Sequence, residues 1–243
     1  MKNEKGFTLI EITFIIIIVG FLLGIFLNAN MVLKNAEIKA FIVQLEKYNT
    51  AITIFKKKYG QMPGDLKKTV IFGLSEKNTD GDENGIIEDL DSVKKIKENS
   101  IEKSTGEISN FWMHLTNSGF LDEIYDGNSG FRSRIGRTYP ITKINNTGII
   151  VFGVDGKNYY HVGAFKILAN SKFDLSDSSL KPFEAFLIDK KIDDGIPRTG
   201  NVVVSGSDGL NDTTNIKKEC ATVREYLTRV DIPTCQLRIR IIP

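Results

Sequence analysis

Hydrophobic positions divide the chain into a continuous apolar segment, an amphipathic segment and a longer region of short apolar runs. Residues 12–33 contain no charged residue, and a helix of that length spans about 30 Å, the thickness of the hydrocarbon core of a bilayer. Over residues 38–59 apolar residues recur at steps of three and four, which predicts an amphipathic helix. Gly60 offers a cap and Pro63 forbids continuation. We therefore predict one helix over residues 7–59, embedded in a membrane in its first half.

The remainder of the chain, residues 60–243, is predicted to form a globular head. The apolar runs 147–154 and 159–165 flank a turn at 155–158 and are typical of a β-hairpin. Two further strands and a short helix are predicted at residues 202–204, 237–241 and 183–192. The arginines of the last strand alternate with apolar residues, so we expect them to face solvent. A helix followed by strands favours an α+β fold whose antiparallel sheet packs on the long helix.

Charge and composition narrow the possible functions. The chain has 32 basic and 30 acidic residues. The excess of basic residues lies in residues 1–59, and the head is slightly acidic, so a nucleic-acid partner is not favoured. Only two histidines and two cysteines are present, too few for a typical zinc site or a catalytic centre built on histidine. We interpret Trp112, His114 and His161 as packing residues and expect that the chain is not an enzyme.

The beginning of the chain resembles a known family. The run Gly6-Phe7-Thr8-Leu9-Ile10-Glu11 is similar to the processing and methylation motif of type IV prepilins and of type II secretion pseudopilins. The resemblance implies that prepilin peptidase cuts between Gly6 and Phe7 and methylates the new amino terminus. It also implies a pilin-like fold, a single pass through the bacterial inner membrane and a periplasmic head. The implied partners are other pilin or pseudopilin subunits and an inner-membrane assembly platform with its ATPase.

Glu11 is the one acidic residue within the predicted embedded half of the helix. An ionised carboxylate at the edge of a membrane helix is costly unless it is paired, so such a residue is usually functional. The free α-amino group of Phe7 would be mostly cationic at neutral pH. It can reach Glu11 of its own chain across one turn, or neutralise Glu11 of a neighbouring subunit and thereby set the axial register of a fibre.

The resemblance predicts a structural subunit of a type II secretion pseudopilus or of a type IV pilus-like fibre. Its predicted units are the leader, the embedded half of the helix, the amphipathic half and the periplasmic head, at residues 1–6, 7–33, 34–59 and 60–243. Two alternatives stay open. One is a minor type IV pilin for DNA uptake or adhesion, which a basic surface around Arg132, Arg134 and Arg137 would favour. The other is a calcium-binding adhesin that uses the pilin export route.

An acidic segment at residues 80–91 matches part of the EF-hand calcium loop. The predicted ligands are Asp80, Asp82, Asn84, the backbone carbonyl of Ile86, Glu88 and Asp91. Asp91 stands where EF-hands carry a bidentate glutamate, so we expect weaker affinity. A solvated acidic loop is the alternative. The resemblance also allows a second calcium site in the acidic turns at 188–195 or 207–212, although turn chemistry explains both.

The chain has two cysteines, Cys220 and Cys235. In a head exported across the inner membrane they would lie in an oxidising compartment, which predicts a disulfide bond. Such a bridge would add roughly 3 kcal/mol to the free energy of unfolding. Two buried free thiols are the alternative.

Overall fold

The structure, a computed structural model, describes most of the chain. The described residues are 8–75, 80–89, 103–145, 147–175, 177–205 and 220–242, without the side chains of residues 23–30. Three predicted site residues, Gly6, Phe7 and Asp91, lie outside this set, as does the acidic turn at 207–212.

A single long helix, α1 (Leu9–Tyr59), confirms the predicted continuous helix. Thr8 is its N-cap and forms a capping box with Glu11, since each residue's side chain accepts a hydrogen bond from the other's backbone N–H. Gly60 ends the helix with a left-handed φ of 82° and donates its N–H to the carbonyl of Lys56. Both ends are therefore specified by local sequence.

The two halves of α1 have different surroundings. In the second half the predicted apolar stripe faces the head: Ile38, Phe41, Leu45, Tyr48, Ile52 and Phe55 are buried, and Tyr59 is partly buried against the core. In the first half the described large apolar side chains are exposed, from 43% at Ile12 to 86% at Leu9. Among the helices in the part of the chain that the structure describes, none combines the length and the hydropathy that a membrane span requires.

Two shorter helices lie in the head, α2 (Gly106–Asn117) and α3 (Pro182–Ile192). The latter confirms the helix predicted at 183–192. A 3₁₀ turn occupies Gly130–Arg132. On α2, Trp112 is fully buried, with its ring 4.7 Å from that of Tyr48 and 6.3 Å from that of Tyr160. This aromatic cluster joins α1, α2 and the sheet into one core.

The main sheet is antiparallel. Its strands are β1 (Gly148–Val154), β2 (Lys157–Gly163), β5 (Val202–Val204) and β6 (Leu237–Arg240), in the order β1-β2-β6-β5. A separate pair is formed by β3 (Lys166–Ile167) and β4 (Phe173–Asp174). The predicted hairpin is confirmed, but its turn is shorter than expected. Asp155 and Gly156 both have positive φ, and Lys157 already pairs with Val154.

One expectation for the sheet is wrong. Arg238 does not face solvent; it is only 6% exposed. The reason is that β6 is an internal strand, on which Arg238 lies opposite His161 and Val203. Successive residues of β6 point to opposite faces of the sheet, and Leu237, Arg238 and Ile239 are all buried, so both faces are covered there. Arg240, nearer the end of the strand, is half-buried. With its helices and antiparallel sheet, the chain is an α+β protein, as predicted.

The predicted disulfide bond is present. Cys220 and Cys235 are bonded with their Cα atoms 5.1 Å apart, and both are fully buried. Backbone hydrogen bonds between Cys235 and Leu180 connect the bridged segment to the residues that precede α3.

Candidate metal centre

Three carboxylates from three separate segments meet at the acidic segment, whose described residues 80–89 are called the loop below. Asp65 follows the end of α1, Asp82 belongs to the loop, and Glu107 lies in the first turn of α2. One oxygen of each lies within 4.8 Å of the others. Asp65 and Glu107 are buried. Next to them is a cavity of about 160 Å³, lined by Asp80, Gly81, Asp82, Glu88, Asp89, Gly106 and Glu107.

Glycines allow these segments to approach one another. Gly64 has a φ of 91°, and a Cβ there would lie 2.6 Å from the carbonyl oxygen of Glu107. A Cβ at Gly81 would overlap the backbone of Asp65. The chain therefore needs glycine at both positions to bring Asp65 and Glu107 together with the loop.

The two buried carboxylates hold the loop in place through its backbone. Asp65 accepts hydrogen bonds from the N–H groups of Asn84 (3.1 Å) and Gly85 (2.8 Å). Glu107 accepts one from Asp82 N–H and one from Glu88 N–H, both 3.0 Å. The loop is thus bound at both ends by groups that lie outside it.

The ligands predicted in the loop do not all lie at the carboxylate cluster. Asp82 belongs to the carboxylate cluster, and Asp80 and Glu88 line the cavity. The Asp80 carboxylate accepts hydrogen bonds from the backbone N–H and the hydroxyl of Thr69, at 3.0 and 2.9 Å. The side chain of Asn84 is used within the loop, where its oxygen accepts the N–H of Ile86 and its amide donates to Asp82.

Burial makes the charged forms of the cluster costly. Desolvation raises the pKa of Glu107 to about 8, assisted by the charges of Asp65 and Asp82 and opposed by the two backbone hydrogen bonds. Desolvation likewise raises the pKa of Asp65 to about 6 and the pKa of Glu88 above its usual value. A bound cation would offset these penalties, since it stabilises the deprotonated carboxylates.

A second acidic group, Asp189, Asp193 and Asp194, lies at the end of α3. The donors to Asp65 and Glu107 lie in a separate segment, whereas the carboxylates of this second group accept hydrogen bonds mainly from the turn that directly follows α3. Asp189 accepts from the Tyr226 hydroxyl and from Gly195 N–H, Asp193 from Asn201 N–H, and Asp194 from Ile196 N–H and the Thr199 hydroxyl. The acidic turn predicted at 188–195 therefore has the turn chemistry that explains its sequence.

Two of the arginines that would favour DNA binding, Arg134 and Arg137, form contacts within the head. Arg137 forms an ion pair with Asp126 at 2.8 Å. Arg134 donates to the backbone carbonyls of Phe131 and Ser133. The side chain of Arg137 is nevertheless 73% exposed.

Asp65 and Glu107 are the residues that the sequence analysis missed. The spacing of the EF-hand loop cannot indicate them, because they contribute to the cluster through tertiary contacts. The one signal that the sequence offers is the position of Glu107, directly before Ile108, the first apolar residue of α2. No known protein family, curated protein or solved structure matches the chain.

Proposed function

We propose that the chain is a structural subunit of a type II secretion pseudopilus or of a type IV pilus-like fibre. The observation that carries this proposal is the first half of α1. Its described apolar side chains, among them Leu9, Phe14, Ile17 and Phe21, are exposed on all sides of the helix. Soluble monomers rarely expose a continuous apolar surface of this size. This part of α1, residues 9–33, is called the arm below, and its apolar surface needs to be covered by lipid or by protein.

Lipid and neighbouring subunits would cover the arm in turn. Before assembly the arm lies in the inner membrane, with the head in the periplasm. In the fibre, the arms of adjacent subunits bundle together. Prepilin peptidase removes residues 1–6 and methylates Phe7, and an assembly platform with its ATPase adds the subunit. The work of the chain is then mechanical, and it transforms no external substrate.

Replacement of Gly6 tests the processing step. In Gly6→Leu the peptidase should fail to cut, and N-terminal sequencing should find the uncut chain. The matched control is Gly20→Leu, because no atom lies within 4 Å of a Cβ at Gly20. That variant should yield a mature chain beginning at Phe7. Normal cleavage of Gly6→Leu, or a mature wild-type chain that begins beyond residue 33, would contradict the proposal.

We also propose that the head binds calcium, with Asp65, Asp82 and Glu107 as the central ligands. Calcium binds carboxylate oxygens at about 2.3–2.6 Å, so two oxygens on the same ion lie at most about 5 Å apart. The 4.8 Å limit within the cluster meets this requirement. Asp80 and Glu88, which line the adjacent cavity, can add oxygens directly or through water.

A melting assay with calcium tests this second proposal. The melting temperature of the chelator-treated chain should rise as calcium is added. Glu107→Gln should abolish most of that rise, whereas Asp193→Asn, in the acidic group whose carboxylates serve turns, should leave it unchanged. If calcium does not change the melting temperature of the wild-type chain, residues 80–91 form only an acidic turn.

A further inference from the structure

A lysine, an asparagine and a buried glutamate meet where the arm of α1 leaves the head. Lys34 lies on α1, Asn145 in the turn before β1, and Glu184 in the first turn of α3. The Lys34 Nζ atom is 3.3 Å from Asn145 Oδ1 and 2.9 Å from Glu184 Oε1. The other carboxylate oxygen, Glu184 Oε2, accepts a hydrogen bond of 2.9 Å from Asn145 Nδ2. One carboxylate thus touches both the amine and the amide nitrogen.

The orientation of the asparagine amide is fixed by its partners. Its Nδ2 donates to the carbonyl of Ser179 at 2.8 Å as well as to Glu184, so its oxygen must face Lys34. Glu184 is itself held in place, because it accepts the backbone N–H of Lys181 in the capping box of α3. Its side chain is only 3% exposed, whereas that of Lys34 is 30% exposed.

We propose that Lys34 and Asn145 form an intramolecular isopeptide bond, with Glu184 transferring the protons. Lys34 Nζ attacks Asn145 Cγ, the new Nζ–Cγ bond forms, and the Cγ–Nδ2 bond breaks. The lysine ammonium loses two protons in becoming an amide N–H. Both protons pass through the Glu184 carboxylate to Nδ2, which leaves as ammonium, and Glu184 ends as the carboxylate it was. No oxidant or co-reactant is needed.

The reaction becomes feasible because the reacting groups are held close together and a carboxylate contacts both of them. Amines attack unactivated amides slowly in water, but reactants held together in one site gain effective molarities of roughly 10⁵ M or more. Lys34 Nζ lies 3.3 Å from Asn145 Oδ1, and the carbon that it attacks, Cγ, is bonded to that oxygen. A carboxylate within hydrogen-bond reach of both nucleophile and leaving group can act first as general base and then as general acid. The groove of about 590 Å³ around the reacting groups has a mixed lining, with the apolar side chains of Met31, Phe183 and Val230 on it as well as the charged side chains of Lys181 and Asp231.

The reaction should be slow at neutral pH and faster at higher pH. Although burial opposes it, hydrogen bonds to Glu37 and Glu184 raise the pKa of Lys34, so the reactive neutral amine is scarce at pH 7. The bond would join α1 to the head at residue 34. It would keep the second half of α1 packed against the head when the first half is pulled. That use rests on the proposed function, whereas formation of the bond does not.

Mass spectrometry of the intact full-length chain in detergent tests the proposal. After correction for the disulfide bond and for N-terminal processing, the wild-type mass should be lower than the sequence mass by one ammonia. The reacted fraction should grow during incubation at pH 9. In a tryptic digest, the fragment that ends at Lys39 should be joined to residues 144–157. This joined peptide excludes a succinimide at Asn145, which also loses ammonia but joins nothing.

Four variants separate the bond from a simple ionic contact. Lys34→Arg and Asn145→Ala remove a reacting group, and Glu184→Gln removes the proton carrier, so none of the three should yield the joined peptide. Lys181→Arg alters a neighbouring cation in the same groove and should still lose ammonia. A wild-type chain that yields no joined peptide after prolonged incubation at pH 9, or a Glu184→Gln variant that yields it as fast as the wild type, would overturn the proposal. Either result is independent of whether the chain assembles into fibres.

Discussion

The hydroxyl of Tyr160, in the interior of the sheet, donates a hydrogen bond of 2.9 Å to the side-chain oxygen of Asn49 on α1. Tyr160 is fully buried, and burial raises its pKa well above the usual value, so it remains a neutral donor. This contact is a polar connection across an otherwise apolar interface between helix and sheet. It fixes the position of β2 along α1, which apolar packing alone specifies less sharply.

Removal of this hydroxyl should destabilise the head modestly. Tyr160→Phe keeps the ring but leaves the Asn49 oxygen without this donor, which should lower the free energy of unfolding by about 1 kcal/mol. Urea denaturation of the variant and the wild type measures the difference. Tyr159→Phe is the matched control, because Tyr159 points to the opposite face of the sheet. Equal losses in the two variants would show that the bond to Asn49 adds nothing specific.

The acidic cluster should make stability depend on pH when no cation is bound. The ordinary pKa values of Asp65 and Glu107 are 3.8 and 4.5, and the folded chain raises them to about 6 and about 8. At these two groups the folded state holds protons that the unfolded state has released, so they contribute stability that is lost as pH rises from about 4 to about 8. Calcium should reduce this loss, because it replaces the protons.

Melting temperatures between pH 5 and pH 8.5, with chelator and with calcium, measure this effect. Glu107→Gln has no charge to develop, so its melting temperature should change less between pH 6 and pH 8 in chelator. Asp189, whose pKa burial raises to about 6, acts in the same direction and should leave a smaller decline in every variant. Burial lowers the pKa of His114 to about 4 and of His161 to about 3, so these two groups act in the opposite direction below about pH 6.5. A chelated wild-type chain that is as stable at pH 8 as at pH 6.5 would contradict this account.

Periodicity allowed much of the fold to be predicted. The stripe from Ile38 to Tyr59 identified the packed face of α1, and the Asp155-Gly156 pair identified the hairpin. Such features depend on neighbours in sequence. The burial of Arg238 could not be predicted, because the alternation within β6 does not reveal that the strand is internal or that its second face is covered.

The candidate sites depend even more on contacts between residues that are distant in sequence, which the pattern along the chain does not reveal. The acidic run at 80–89 was visible, but Asp65 and Glu107 enter the cluster only because α1 ends at Gly60 and α2 begins near the loop. Likewise, Lys34, Asn145 and Glu184 are far apart in sequence and belong to three elements. Nothing local distinguishes them from ordinary surface residues.

The disulfide bond should contribute to stability chiefly by restricting the unfolded chain. A bridge with a sequence separation of 15 is expected to add roughly 3 kcal/mol. The double variant Cys220→Ala with Cys235→Ala should lose about that amount in urea denaturation. Wild type with reductant should behave like the double variant, and reductant should not change the double variant. If the double variant unfolds at the wild-type urea concentration, the bridge is not a stabilising element.

Glu11 has a local role in the structure, and we propose a second role between subunits. In the structure its carboxylate accepts hydrogen bonds of 3.2 Å from the backbone N–H and the hydroxyl of Thr8, which caps α1. Glutamine can make the same capping box, but it carries no charge. If Glu11 neutralises the amino terminus of a neighbouring subunit, the charge is essential and the cap is not.

Three variants distinguish these roles in a fibre-shearing assay with immunoblots of the membrane and fibre fractions. Glu11→Gln keeps the cap but should lower the yield of fibres roughly a hundredfold or more, because it leaves an unpaired amine in the bundle. Glu11→Val should do the same, and both should remain in the membrane fraction. Thr8→Ala removes the capping hydroxyl but keeps the charge, so it should still form fibres. Normal fibres from Glu11→Gln together with few from Thr8→Ala would instead assign Glu11 to the helix cap alone.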